Sequence, residues 1–156
     1  MPSCIIVLVR SLCVLLLVTG CKEEPAPPAQ KLELVDAPIS GEVAPIVVDE
    51  LASAARDHKQ LLVYVGATWC EPCQHFHKAA EAGQLDAEFG KLRLLVFDLD
   101  RDGDALAKAN YKSEMIPLFA LPNPDGTSSG KQIEGSIHGD GAVAQISPRL
   151  RQLVGR

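Results

Sequence analysis

A Trp-Cys-Glu-Pro-Cys run at residues 69–73 constrains this chain more than any other feature. It stands where an apolar stretch, Leu-Leu-Val-Tyr-Val at 61–65, gives way to residues with helical spacing, so the first cysteine opens a helix. The first turn of a helix leaves backbone N–H groups unpaired and partly positive, which stabilises a thiolate and marks Cys70 as the nucleophile. Two thiols separated by two residues can close into a disulfide and open again. Pro72 fits the first helical turn, where its missing N–H costs nothing, and holds the thiols near bonding distance. The same pair could instead ligate a metal. Structural zinc needs about four ligands, whereas Cu(I) accepts two thiolates with Met115 or one of His75, His77 and His138.

The N-terminus addresses where this chemistry happens. Residues 4–18 are apolar except for Arg10 and Ser11, and polarity returns abruptly at Lys22-Glu23-Glu24. A membrane-spanning helix needs roughly 20 apolar residues, so this Arg-interrupted run is better sized for a cleaved export signal. Val18-Thr19-Gly20-Cys21 resembles the bacterial lipoprotein signal, in which an aliphatic residue and two small ones precede a cysteine that receives diacylglycerol and palmitate. Residues 1–20 are therefore expected to be removed and Cys21 lipidated. Of the five cysteines, Cys4 and Cys13 leave with the signal and Cys21 is capped, so the mature chain keeps Cys70 and Cys73 alone. No structural disulfide framework is expected. The chain carries a net charge of −5, and losing Arg10 makes it more negative. With no basic stretch long enough to track phosphates, nucleic acid is excluded as a partner.

Residues 21–45 read as a tether, since Pro25, Pro27, Pro28, Pro38 and Pro45 favour extended backbone and offer little surface to bury. One compact domain is expected over 46–156. Its pattern runs helix (46–58), strand (61–65), helix (through 81), strand (92–99), helix (102–112), strand (117–121), strand (132–137) and helix (141–154), with a kink or restart at Pro148. The turn between the last two strands falls on Asn123-Pro124-Asp125-Gly126. Asp98, Asp100, Asp102 and Asp104 alternate as calcium ligands do, but an EF-hand loop opening at Asp98 would need Glu where Ala109 stands, so a solvated loop is expected.

That order of elements, the Trp-Cys-x-Pro-Cys run at the second helix, and Ile116-Pro117 opening the third strand resemble the thioredoxin superfamily. The resemblance covers about residues 46–154. Cys70-Glu71-Pro72-Cys73-Gln74-His75-Phe76-His77-Lys78 is similar to the soluble thiol-reducing domains of transmembrane disulfide reductases. The resemblance implies a thioredoxin-like α/β fold, with a central mixed sheet flanked by helices, and a redox-active Cys70–Cys73 disulfide that needs no cofactor. It implies that Pro117 is cis and lies against the cysteines, leaving the backbone of Ile116 free to pair with a substrate chain. Trp69 would shield the disulfide and offer an apolar docking surface. Where thioredoxin keeps a buried Asp six residues before the first cysteine, this chain has Tyr64. His77, four residues after Cys73 and on the same helix face, is expected to take the Cys73 proton instead. Glu71 places a negative charge beside the thiolate and favours a reducing pair.

Together these readings describe a monomeric, lipid-anchored protein of the bacterial envelope that faces the periplasm. Lys22 stands where some inner-membrane lipoproteins carry Asp, which points to the outer membrane. The protein would reduce disulfides in exported proteins and draw electrons from a membrane thiol relay. The alternative is a copper-handling module built on the same two thiols.

Overall fold

The structure is a computed structural model that describes residues 30–39 and 41–156. The expected signal, Cys21 and the tether residues before 30 lie outside the described residues. A strand β1 (Glu33–Asp36) leads to helix α1 (Val43–Arg56), strand β2 (Gln60–Gly66) and helix α2 (Glu71–Glu81). A short helix α3 (Asp86–Phe89), strand β3 (Leu92–Asp98) and helix α4 (Leu99–Lys108) follow. Strands β4 (Leu118–Pro122) and β5 (Ser128–Glu134) and helix α5 (Ala142–Leu153) complete the order. Among the described residues no helix is long and apolar enough to cross a membrane.

The five strands form one sheet in the order β1-β3-β2-β4-β5. β1, β3 and β2 run parallel, β4 is antiparallel to β2, and β5 is antiparallel to β4. This is a thioredoxin-like α/β fold: a mixed sheet with helices on both faces. The continuous apolar run of β2 is what a strand covered on both sides requires. Alternate residues divide between two cores, with Leu62 and Tyr64 facing Phe76, Phe119 and Ile146, and Leu61, Val63 and Val65 facing Val47, Phe97 and Leu106.

Four expectations need correction. The folded unit begins well before residue 46, because β1 pairs in register with β3 (Glu33 opposite Arg93) and both Leu32 and Ala37 are buried. The proline count masked this four-residue edge strand, whose support comes from β3 rather than from its own sequence. α4 starts at Leu99 instead of 102, because the Asp98 carboxylate accepts the N–H groups of Asp100 (2.9 Å) and Arg101 (3.1 Å), while Asp102 accepts that of Asp98 at 3.0 Å. Two of the four alternating aspartates, Asp98 and Asp102, are thus used at the start of the helix. β5 starts at Ser128, because Asn123 closes the turn early: its backbone and side-chain N–H groups donate to Thr127 and Ser128, and its carbonyl accepts the Gly126 N–H. Gly126 in that turn has φ +83°, and a methyl group there would meet the Ala44 carbonyl oxygen at 2.1 Å, so only glycine fits. Finally, α5 does not restart at Pro148 but carries it inside one helix.

Candidate active site

Cys70 is the N-cap of α2, with extended backbone (φ −79°, ψ 102°), and its sulfur accepts the Cys73 N–H at 3.3 Å. The two sulfurs are joined at 2.01 Å with Cα atoms 5.2 Å apart. Pro72 occupies the first turn, and both cysteines are buried. The loop from β2 is fixed on each side of Trp69. The Cys70 N–H donates to Ala67 O at 3.1 Å, and the indole N–H donates to Asp100 at 2.8 Å. Trp69 is nonetheless 62% exposed, so its ring stands beside the disulfide as an accessible wall.

The Ile116–Pro117 peptide bond is cis, and Pro117 is buried just before β4. Ile116, Met115, Trp69, Pro72 and His138 line a groove of about 320 Å³ that reaches Cys70. Met115 and Ile137 are large apolar side chains more than half exposed at this end of the molecule. Cys73 does not line this groove. A second cavity, of about 520 Å³, lies behind the disulfide and is lined by Cys73, Tyr64, His77, Asp36, Gln74 and Arg101. The two cysteines, both buried, thus line different spaces.

Glu71, between the cysteines, takes part in a cluster that the sequence did not disclose. His138 Nδ1 lies 2.6 Å from one carboxylate oxygen, and His75 Nε2 lies 3.7 Å from the other. The bond to His138 leads the effects that hold Glu71 below the usual carboxylate range, with a backbone bond from Gly139 and the charge of His75 adding to it. The 135–141 loop is thereby docked on the first turn of α2. Arg149 secures its start, donating to Glu134 O and Gly135 O at 2.7 Å each. The spacing between Glu71 and His138 is long-range, and no local pattern could have revealed it.

His77 lies on the Cys73 side, away from the groove. Burial lowers its pKa below the ordinary histidine value, against smaller upward pulls from Glu81 and Asp36, so at neutral pH it is an unprotonated imidazole able to accept a proton. Of the residues singled out in the sequence, Trp69, Cys70, Glu71, Pro72 and Ile116 share the groove and Pro117 directly follows Ile116, whereas Cys73 and His77 share the rear cavity. Among the described residues no three His, Cys, Asp or Glu side chains are grouped to hold a metal ion.

No family model matches the chain. Chloroplastic thioredoxin X of Arabidopsis thaliana is 32% identical over 98 residues, a match covering 62% of this chain and 52% of that protein. The chain thus spans about half the length of the curated relative it matches. Solved structures similar to it include oxidised thioredoxin O1 from Arabidopsis thaliana, with 15% identity, TM-score 0.48 and coverage of 77% of this chain and 96% of that one. A mutant poplar thioredoxin h is 21% identical with TM-score 0.49, covering 85% of this chain and 89% of that one.

Proposed function

We propose that this chain is a thioredoxin-like thiol–disulfide oxidoreductase of the bacterial envelope that reduces disulfides in exported proteins. The observation that carries the reading is the Cys70–Cys73 disulfide at the N-cap of α2, with Cys70 at the end of a groove walled by Trp69 and Ile116. In the reduced protein the Cys70 thiolate attacks a partner disulfide and forms a mixed disulfide. Cys73 then displaces the reduced partner and closes the intramolecular bond. The exposed rim of Trp69, Met115 and Ile137 suits an extended polypeptide with apolar side chains. The chain needs no cofactor for these steps. Its electrons must come from another dithiol, for which a membrane thiol relay is the source consistent with an exported protein.

Glu71 supports the reductant direction. Its charge beside Cys70 disfavours the thiolate, and a less stabilised thiolate makes a less oxidising pair. His138 and His75 moderate this effect without removing the carboxylate. The test is to cycle the full mature protein with mild oxidant and then reductant while counting alkylatable thiols, and to measure turnover of a protein disulfide. Two thiols should alternate with none, with turnover and a potential well below the about −120 mV of a strong disulfide-forming oxidant. A dithiol that never closes, or stoichiometric Cu(I) retention without turnover, would overturn the reading.

The envelope location rests on residues 1–21. A lipid on Cys21 replaces the signal as anchor, and the proline-rich residues that follow, at about 3 Å per residue where extended, hold the domain away from the bilayer. Cys21→Ser should move the protein from the membrane fraction to the soluble envelope fraction without altering thiol cycling. Retention in the membrane after that change would refute lipidation at Cys21.

A further inference from the structure

Glu114 stands on the groove that reaches Cys70, two residues before Ile116. Its backbone is held in place, because its N–H donates to a Glu134 carboxylate oxygen at 3.1 Å and the Ser113 hydroxyl donates to Met115 O at 2.9 Å. Its own side chain is exposed, and among the described residues its carboxylate has no hydrogen-bond or ion-pair partner. The other carboxylates at this end are engaged: Glu71 with His138 and His75, Asp100 with the Trp69 indole, and Glu134 with the Glu114 N–H. No Lys or Arg lines the groove to balance Glu71 and Glu114, and the whole chain carries a net charge of −5. Arg149, which secures the opposite wall, is committed to the backbone carbonyls of Glu134 and Gly135. Beside Glu114 the groove is apolar, with the exposed side chains of Met115 and Trp69. An apolar wall that ends in an unpaired carboxylate suits one kind of side chain. A Lys or Arg lays its methylene stem along apolar surface while its charged head stays at the edge, and a cation over an exposed indole face is stabilised further.

We propose that Glu114 is a specificity-determining residue of the groove, pairing with a Lys or Arg that lies within a few residues of the reacting cysteine in the partner chain. The proposal rests on the dithiol reading above and names its partner class: extended, disulfide-bearing segments with a cation near the cysteine and no carboxylate there. The bond-making steps are unchanged. An extended partner that pairs with the backbone of Ile116 advances roughly 3.3 Å per residue with side chains alternating between its faces, so the neighbours of its cysteine pass along residues 113–116. A cation at one of these positions meets Glu114. A carboxylate there would face Glu114 and Glu71 with no cation in the groove to offset them, so the same charges that select one partner reject another. Glu71 adds to the field, but His138 Nδ1, 2.6 Å away, already occupies one of its oxygens. Arg should be favoured over Lys, because its planar fork meets both oxygens of a carboxylate at once.

Disulfide-linked peptide dimers test this, each chain having capped ends, a single cysteine, and Lys, Gln or Glu placed near it on both sides. The rate constant of the reduced full mature protein with each dimer, divided by that of a small uncharged dithiol with the same dimer, removes the peptides' own differences in reactivity. At low ionic strength the Lys dimer should react on the order of 10-fold faster than the Glu dimer, with the Gln dimer between them. That is the size expected when an exposed ion pair is gained in one case and a like-charge contact is met in the other. At about 0.5 M salt, where screening confines charges to close contacts, the ratio should fall to about 2-fold. Glu114→Gln should lower the low-salt ratio to about 3-fold, the remainder coming from Glu71, and Glu114→Lys should bring it to one or below. Asp49→Asn, on the exposed side of α1, makes the same charge change as Glu114→Gln outside the groove and should leave the ratio at its wild-type value. Equal wild-type rates for the three dimers, or a ratio that survives Glu114→Lys, would overturn the proposal. So would a fall in Asp49→Asn as large as that in Glu114→Gln, which would assign the preference to net charge. Failure of the wild-type protein to react with any dimer would instead overturn the dithiol reading.

Discussion

Cys73→Ser arrests the protein as a mixed disulfide with its partner through Cys70, and Cys70→Ser yields neither adduct nor turnover. Each change should lower turnover of a protein disulfide on the order of 10⁴-fold or more, the scale seen when a catalytic unit loses its nucleophile. The asymmetry between them follows from the two spaces around the disulfide. Cys70 lines the groove with Trp69 and Ile116, the exposed apolar face on which a partner chain would lie, whereas Cys73 lines the rear cavity, so docking in the groove favours attack by the first sulfur. Electrostatics points the same way, because the Cys70 sulfur is the N-cap that accepts the Cys73 N–H at 3.3 Å, and a hydrogen bond to a charged sulfur favours the thiolate. Denaturing gels without reductant, followed by identification of the adducts, would read the outcome. Equal trapping by Cys70→Ser would show that Cys73 is the attacking thiol and would reverse the assignment.

What could be read along the chain was whatever local physics decides. The Cys70 N-cap, Pro72 in the first turn and the buried run of β2 each follow from neighbours within a few residues, and so does the Ile116-Pro117 pair that opens β4. Features set by distant partners were not legible. β1 carries only Glu-Leu-Val-Asp, too short for a periodicity, and its existence depends on four register pairs with β3 at the sheet edge rather than on propensity. His138 enters the sequence reading as a candidate Cu(I) ligand, and its pairing with Glu71 is made by the β5–α5 loop, 67 residues along the chain. Tyr64 was noticed in the sequence only as a missing acid. Its burial against Phe76 and Phe119, with no partner for its hydroxyl among the described residues, arises from the packing of α2 over β2.

Arg93→Leu should destabilise the fold by about 2–4 kcal/mol, toward the lower side of the cost of breaking a buried ion pair because some of its partners keep contact with water. Arg93 is 7% exposed, and its guanidinium donates to Glu33 and Asp57 at 2.6 Å each, to Glu50 at 2.9 Å and to Ser53 at 3.0 Å. Burial alone would lower its pKa, but the bonds to Asp57, Glu33 and Glu50 outweigh that and hold the charge more firmly than usual. Removing the cation leaves three carboxylates turned toward one another with only Lys59, 3.1 Å from Glu33, to offset them. Arg93→Lys keeps the charge and loses the planar fork, so its loss should be intermediate. Urea unfolding with an unchanged m-value would measure both. A loss within about 0.5 kcal/mol for Arg93→Leu would mean the network behaves as exposed pairs do. The consequence reaches the site, because Glu33 belongs to β1, whereas Glu50 and Ser53 belong to α1 and Asp57 caps its end. Loosening this junction should first raise amide exchange in β1, whose far end carries Asp36 and Ala37 into the cavity behind Cys73. An ion network at one end of the sheet thereby holds the wall against which the resolving cysteine works.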